Sequence, residues 1–204
     1  MQKMEWINHW LEVLKQKSPT GYAIGLHIEY NSPKLQLETY PIAWVNHYEK
    51  NGFFLSDPVV MWGFQNHGTR RWSELAEIDT RGVFVDAKSF GLNYGFVAFI
   101  EARGNHTIAG FSCTDREFTD TEISEICEIL LMLHKVDISV LKISDSQKIL
   151  LNELANGGRI EDVSARLGIP IVTVKSRLAA VKDLLGTRTS AEAVQRAADL
   201  GLLK

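Results

Sequence analysis

Residues 159–186 read RIEDVSARLGIPIVTVKSRLAAVKDLLG, and the organisation of the whole chain turns on this stretch. Val163 and Leu167 stand four apart, on one face of a first helix. Gly168 breaks that helix, and Pro170 suits the first turn of the next, where its missing N–H costs nothing. Ile171, Val174, Leu178, Val181 and Leu185 then form an inward stripe. The other side carries Thr173, Lys175, Ser176, Arg177, Ala179 and Lys182. Two short helices joined by a tight glycine turn, the second showing small polar and basic residues, predict a helix-turn-helix. In DNA recognition such a second helix lies in the major groove, its first residues against base edges. A surface helical hairpin has the same spacing, so the flanking sequence has to decide.

Downstream, Thr187-Arg188-Thr189-Ser190 caps a last helix over 191–200. Upstream, Ser144 caps a helix through Leu150, Leu151 and Leu154 that ends at Asn156-Gly157-Gly158. Residues 143–204 thus predict a small all-α domain of four helices. The net charge of the 204-residue chain is −3, which gives no global signal for nucleic acid. The charge is unevenly placed, however. From Ser144 onward there are nine Lys/Arg and seven Asp/Glu, against 13 and 18 before it. A basic tail on an acidic body suits a DNA reader joined to a domain with another task.

The sequence argues against several functions. The two cysteines, Cys113 and Cys127, have no metal or redox spacing, which points to a reducing cytoplasm. There is no HExxH, no nucleophile elbow and no glycine-rich phosphate loop, so neither an enzyme nor a metal or cofactor is expected. The N-terminus lacks the apolar run of a signal peptide, and no stretch is long enough to span a bilayer, so no membrane partner is expected. Residues 4–17 place Trp6, Ile7, Trp10, Leu11 and Leu14 at helical spacing. Glu5 and Glu12 on the polar face favour a core helix over an interfacial one.

Residues 1–142 predict alternating elements. Strands are expected over 22–30 and 34–40, a helix over 42–50 with Trp44 and Tyr48 on one face, and a helix opened by Asp57-Pro58. A polar loop over 63–71, a helical turn from Trp72, and a helix over 82–90 follow. Strands at 95–102 and 107–113 precede a long helix, 119–141, with Ile123, Ile126, Cys127, Leu130, Leu133 and Leu141 inward. The fold class is therefore α+β: an α/β/α sandwich followed by the four-helix domain.

The four C-terminal helices resemble the DNA-binding domain of LuxR-type transcription regulators. The matching residues are Ala155, Gly157, Val163, Leu167-Gly168-Ile169, Thr173-Val174-Lys175, Leu185-Gly186, Ala193-Val194 and Gly201-Leu202-Leu203. Gln147, Arg177 and Leu184 depart from the glutamate, histidine and lysine usual there. Thr173–Leu178 also looks like a sigma-factor helix, but the acidic, strand-containing first part supplies no helical region for a melted strand. That first part, residues 1–142, resembles the ligand domain of quorum-sensing LuxR-type regulators. The string is Tyr40-Pro41, Trp44, Tyr48, Asp57-Pro58-Val59-Val60 and Trp72, then Gly91 and Gly95. The chain is shorter than the family norm, and Arg70-Arg71 before Trp72 would set two charges near the pocket mouth.

The resemblance implies an acyl-homoserine lactone as signal, a homodimer, a roughly palindromic double-stranded operator and RNA polymerase as partner. By position, Asp57 would accept the ligand amide N–H, Trp44 would donate to the lactone carbonyl and Tyr48 to the acyl carbonyl. Tyr40 and Trp72 would line the head-group pocket, with Ser112 or Cys113 adding a contact. In the second domain Lys175, Arg177, Lys182 and Arg188 would hold phosphates, and Thr173, Lys175 and Ser176 would read bases. The chemistry is coherent by itself, since a buried guest loses about 1–3 kcal/mol per unpaired polar group. Ile24, Leu26, Leu37, Val59, Val60, Phe96 and Val97 are the residues expected along the acyl chain. The alternative is a ligand-independent regulator whose first domain serves dimerisation or protein partners, with Trp44, Tyr48 and Asp57 only packing.

Overall fold

The computed structural model describes residues 3–29, 32–102, 104–136, 143–200 and 202–203. It divides into two compact units, His9–Val136, and Met1–Asn8 with Asp137–Lys204. The expected boundary, near residue 142, lies outside the described residues.

The first unit is α+β. After α1 (Lys3–Lys17), of which this unit takes the part from His9 on, a hairpin forms from β1 (Gly21–Glu29) and β2 (Ser32–Glu38). Then come α2 (Ile42–Lys50), a 3-10 turn at Phe53–Ser56, α3 (Pro58–Gln65), β3 (Gly68–Arg71) and a 3-10 helix at Trp72–Ile78. The unit closes with α4 (Val83–Lys88), β4 (Tyr94–Ala102), β5 (Asn105–Cys113) and α5 (Asp120–His134). The five strands form one antiparallel sheet in the order β2-β1-β5-β4-β3. Residues 68–71, expected as loop, are thus an edge strand. GTRR has no apolar alternation to announce one. The helix expected to reach Leu141 ends at His134, and Leu141 lies outside the described residues.

Strand alternation divides the sheet into two faces. On one, Phe96 stacks on Phe111 (5.0 Å between ring centroids), and Phe118 meets Phe96 edge-on. Here α5 packs on β4, burying Ile126, Leu130 and Leu133. Thr119 and Glu122 cap its start reciprocally. On the other face, Val97 and Ile108 pack with Val59 and Trp62 of α3. Ile28 joins this second cluster, although alternation from Leu26 would send it to the first. The cause is a bulge between Gly25 and Ile28, where His27 holds φ 51°.

The second unit contains α6 (Asp145–Ala155), α7 (Ile160–Leu167), α8 (Ile171–Leu185) and α9 (Ser190–Asp199). Gln147, a departure from the family pattern, completes the cap of α6 by accepting from the Ser144 N–H at 2.8 Å. Gly168 ends α7 at φ 63°, a conformation glycine takes without penalty. Ser164 Oγ then donates to the Ile169 carbonyl at 2.6 Å and fixes the turn. Pro170 sits at the N-cap, one residue ahead of the first helical turn expected for it. Val174, Leu178, Val181 and Leu185 are buried as the stripe requires, but Ile171 is 40% exposed. It is the first residue of α8.

Candidate functional site

The first unit holds a partly open cavity of about 190 Å³ between the sheet and the segment from α2 to α4. An apolar void of ~150 Å³ already holds a benzene-sized guest. Helix α2 presents Trp44 and Tyr48 to this space, one turn apart. Gly52 (φ 60°) and the 3-10 turn bring the chain back to Asp57, which starts α3. Tyr40, Trp44, Tyr48, Asp57 and Trp72 all line this cavity.

Asp57 has two local tasks. One oxygen caps α3, accepting from the Val59 N–H at 2.8 Å, and the other accepts from Tyr48 Oη at 2.8 Å. Burial pushes its carboxyl up to about 6, against hydrogen bonds from Tyr48 and Val59 that favour the charged form. Burial likewise raises Tyr48 and Tyr40, with Asp57 adding to both, so both phenols keep their protons. Tyr48 thus donates to Asp57, whereas the resemblance implies donation to an acyl carbonyl. Tyr40 Oη lies 3.1 Å from where a Cβ on Gly110 would be, a proximity that the absent side chain permits. Trp72 stacks on Phe84 (5.3 Å, 19°) and is buried, yet its indole N–H has no acceptor.

Several expected residues are elsewhere. Ser112 is fully buried and its hydroxyl unpartnered, but it does not line the cavity; nor does Cys113. Ile24, Val59 and Val60 line it, whereas Leu26, Leu37, Phe96 and Val97 do not. Leu26, Leu37 and Phe96 belong to the opposite face of the sheet. Arg70 and Arg71 do not line it either. Arg71 turns to Asp120 (2.6 Å) and the Phe118 carbonyl (3.0 Å), and Arg70 to Glu74 (3.4 Å). Sequence reasoning missed Phe54, Phe64 and Phe84 on the wall, and Glu38. The last was detectable, because Glu38 is two residues before Tyr40 in an extended segment and shares its side.

On α8, Lys175 and Ser176 are exposed, and Thr173 and Arg177 half-exposed, all on the side away from the buried stripe. Arg188 is exposed in the following turn. Lys182 is less free than expected, since its ammonium donates to the Arg188 carbonyl at 3.3 Å and ties that turn to the helix. No group of residues suited to a metal ion occurs among the described residues. No described helix is long and apolar enough to cross a membrane.

The sequence profile of the autoinducer binding domain family matches residues 21–137. The transcriptional activator protein SolR of Ralstonia nicotianae is 31% identical over 75 residues, 36% of this chain and 32% of that protein. VanR of Vibrio anguillarum, also a transcriptional activator protein, is 30% identical over 92 residues, 44% of this chain and 38% of its own length. The chain therefore spans about a third of the length of these two relatives. A solved structure of SdiA in complex with octanoyl-rac-glycerol shares the fold, with a TM-score of 0.53 and 20% identity over 99% of this chain and 90% of that one.

Proposed function

This chain belongs to the autoinducer-binding domain family, and from that premise we propose that it is a signal-responsive transcription regulator in quorum sensing. The signal is an acylated lactone held in the cavity of the first unit. One observation carries this reading: a void whose wall brings a buried acceptor, Asp57, together with the phenols of Tyr40 and Tyr48 and the ring of Trp44. A homoserine lactone offers the matching amide N–H and carbonyls. Tyr40, Trp44 and Tyr48 wall the head group, and apolar side chains take the acyl chain. A packing-only role for these side chains gives no reason for a cavity with this polar wall, which disfavours the ligand-independent alternative.

In this reading α7 and α8 form a helix-turn-helix, and a cytoplasmic dimer reads a two-fold operator. Lys175, Arg177 and Arg188 face phosphate, with Lys182 holding the turn; Thr173, Lys175 and Ser176 face bases. The chain is not an enzyme; the relatives that it resembles are transcriptional activators. RNA polymerase is the downstream partner.

Calorimetry with a panel of acyl-homoserine lactones tests the sensor. Binding heat from one of them is expected, and silence from the whole panel defeats it. At a hundred times its Kd the lactone should also stabilise the protein by about 2.7 kcal/mol. Trp72→Phe sharpens the test, because it removes an unpaired buried donor. The ligand-free variant should match or exceed wild-type stability, while lactone affinity falls about tenfold. Equal affinity in the two proteins would mean that the indole N–H meets no guest.

The DNA reading has its own test. Arg188→Ala should lower operator and random-DNA affinity alike and reduce the salt slope by about one. Lys175→Ala should cost about 1–3 kcal/mol on the operator and relax base preference. Mobility shifts across a salt series measure both, and unchanged binding by both variants would remove α8 from the DNA interface.

A further inference from the structure

The acidic side of the cavity has no task in the reading so far. Glu38 stands opposite Ala23 and Gln36 opposite Gly25 in the β1–β2 ladder, and all four line the cavity. The two small residues leave room in front of the two long ones. Glu38 lies close enough to the phenols to raise the proton affinity of both Tyr40 and Tyr48. Its own carboxyl is shifted upward, by burial first and then by Glu49, and its one favourable partner is the amide of Gln36. Lys, Arg and His are absent from the cavity wall among the described residues. A plain alkyl chain laid here would strip water from an acceptor and return nothing to it.

We propose that the signal carries a hydroxyl within a few atoms of its amide, donated to Glu38, so that the protein selects hydroxylated acyl chains over plain ones. This inference rests on the acyl-lactone reading of the same cavity. The position follows from Glu38 acting on both head-group phenols. Gln36, beside Glu38, can donate to the hydroxyl oxygen. The guest that satisfies both has a second donor near the amide.

The test titrates the full-length protein with N-octanoyl- and N-(3-hydroxyoctanoyl)-homoserine lactone in a calorimeter. The wild type should bind the hydroxylated compound about tenfold more tightly, the range of one buried hydrogen bond to a charged group. Glu38→Leu should bring the two affinities together, by weakening the hydroxylated compound and strengthening the plain one. Glu38→Gln, which preserves shape and an acceptor, should keep part of the preference and serves if the leucine variant misfolds. Equal wild-type affinity for the two compounds, a preference that survives in Glu38→Leu, or one undiminished in Glu38→Gln, overturns the hydroxyl assignment and leaves the acyl-lactone reading standing. No binding of either compound overturns both.

Discussion

Asp57→Asn should make the ligand-free protein more stable at neutral and alkaline pH while costing it the signal. The carboxyl of Asp57 is held at about 6 in the folded protein, against an ordinary value of 3.8, mainly by burial. The folded state therefore binds its proton more tightly than the unfolded state does. Native stability falls as pH rises through that window. The loss is absent below about pH 4 and complete above about pH 7. A shift of this size corresponds to roughly 3 kcal/mol at about pH 8. Asparagine keeps an oxygen for the Val59 N–H, so the cap of α3 survives. Its amide can meet Tyr48 in reversed polarity. The variant should gain up to about 3 kcal/mol at pH 8 and nothing at pH 4, read from melting curves across pH. Lactone affinity should fall by about a hundredfold, since an amide N–H meets a neutral, weaker acceptor. A variant less stable than wild type at every pH would make Asp57 a structural cap and nothing more.

This opposition between stability and binding separates the two readings that the sequence left open. Asp57 before Pro58 is an N-cap by local chemistry and a ligand acceptor by family position. The structure gives it the cap and, through Tyr48, a place on the cavity wall. The residues legible in the sequence were those with local punctuation. Trp44 and Tyr48 fall on one helix between Pro41 and Asn51-Gly52, and the turn at Gly168 needs no distant partner. Sheet faces were less legible. Period two says that Leu35 and Leu37 share a side; it does not say which side meets the cavity. Leu26, Leu37 and Phe96, expected along the acyl chain on hydrophobicity alone, belong to the sheet face turned away from the cavity. Ile28 needed knowledge of the bulge at His27, which depends on pairing with β5. Arg70 and Arg71 were read as charges at the pocket mouth because sequence shows a neighbour in the chain. The partners of Arg71, Asp120 and the Phe118 carbonyl, come from far along it, and Arg70 turns to Glu74 four residues on.

Gly95→Ala should be the most damaging single methyl in the first unit. A Cβ there would sit 2.4 Å from Trp72 Cε2 and 2.5 Å from the Phe111 carbonyl oxygen. Neither neighbour can retreat. The carbonyl belongs to β5, in the middle of the sheet, and the indole is clamped by Phe84 on its other side. Overpacking a rigid site costs about 1–3 kcal/mol and occasionally more. With backbone and ring both in the way, the upper end of that range or beyond is expected, a fall of about 10 °C in melting temperature. Gly110→Ala provides the contrast. Its Cβ would meet Tyr40 Oη at 3.1 Å and Val59 Cγ1 at 3.5 Å, tips of side chains that border the void and can give. That variant should lose less than about 1 kcal/mol of stability, yet bind lactone less well because the displaced phenol enters the guest's space. Melting curves and calorimetry on the pair thus separate damage to the wall from loss of the space it encloses. A Gly95→Ala protein with wild-type melting temperature and affinity would show that the indole does not lie on this glycine, and the geometry assigned to the head-group pocket would go with it.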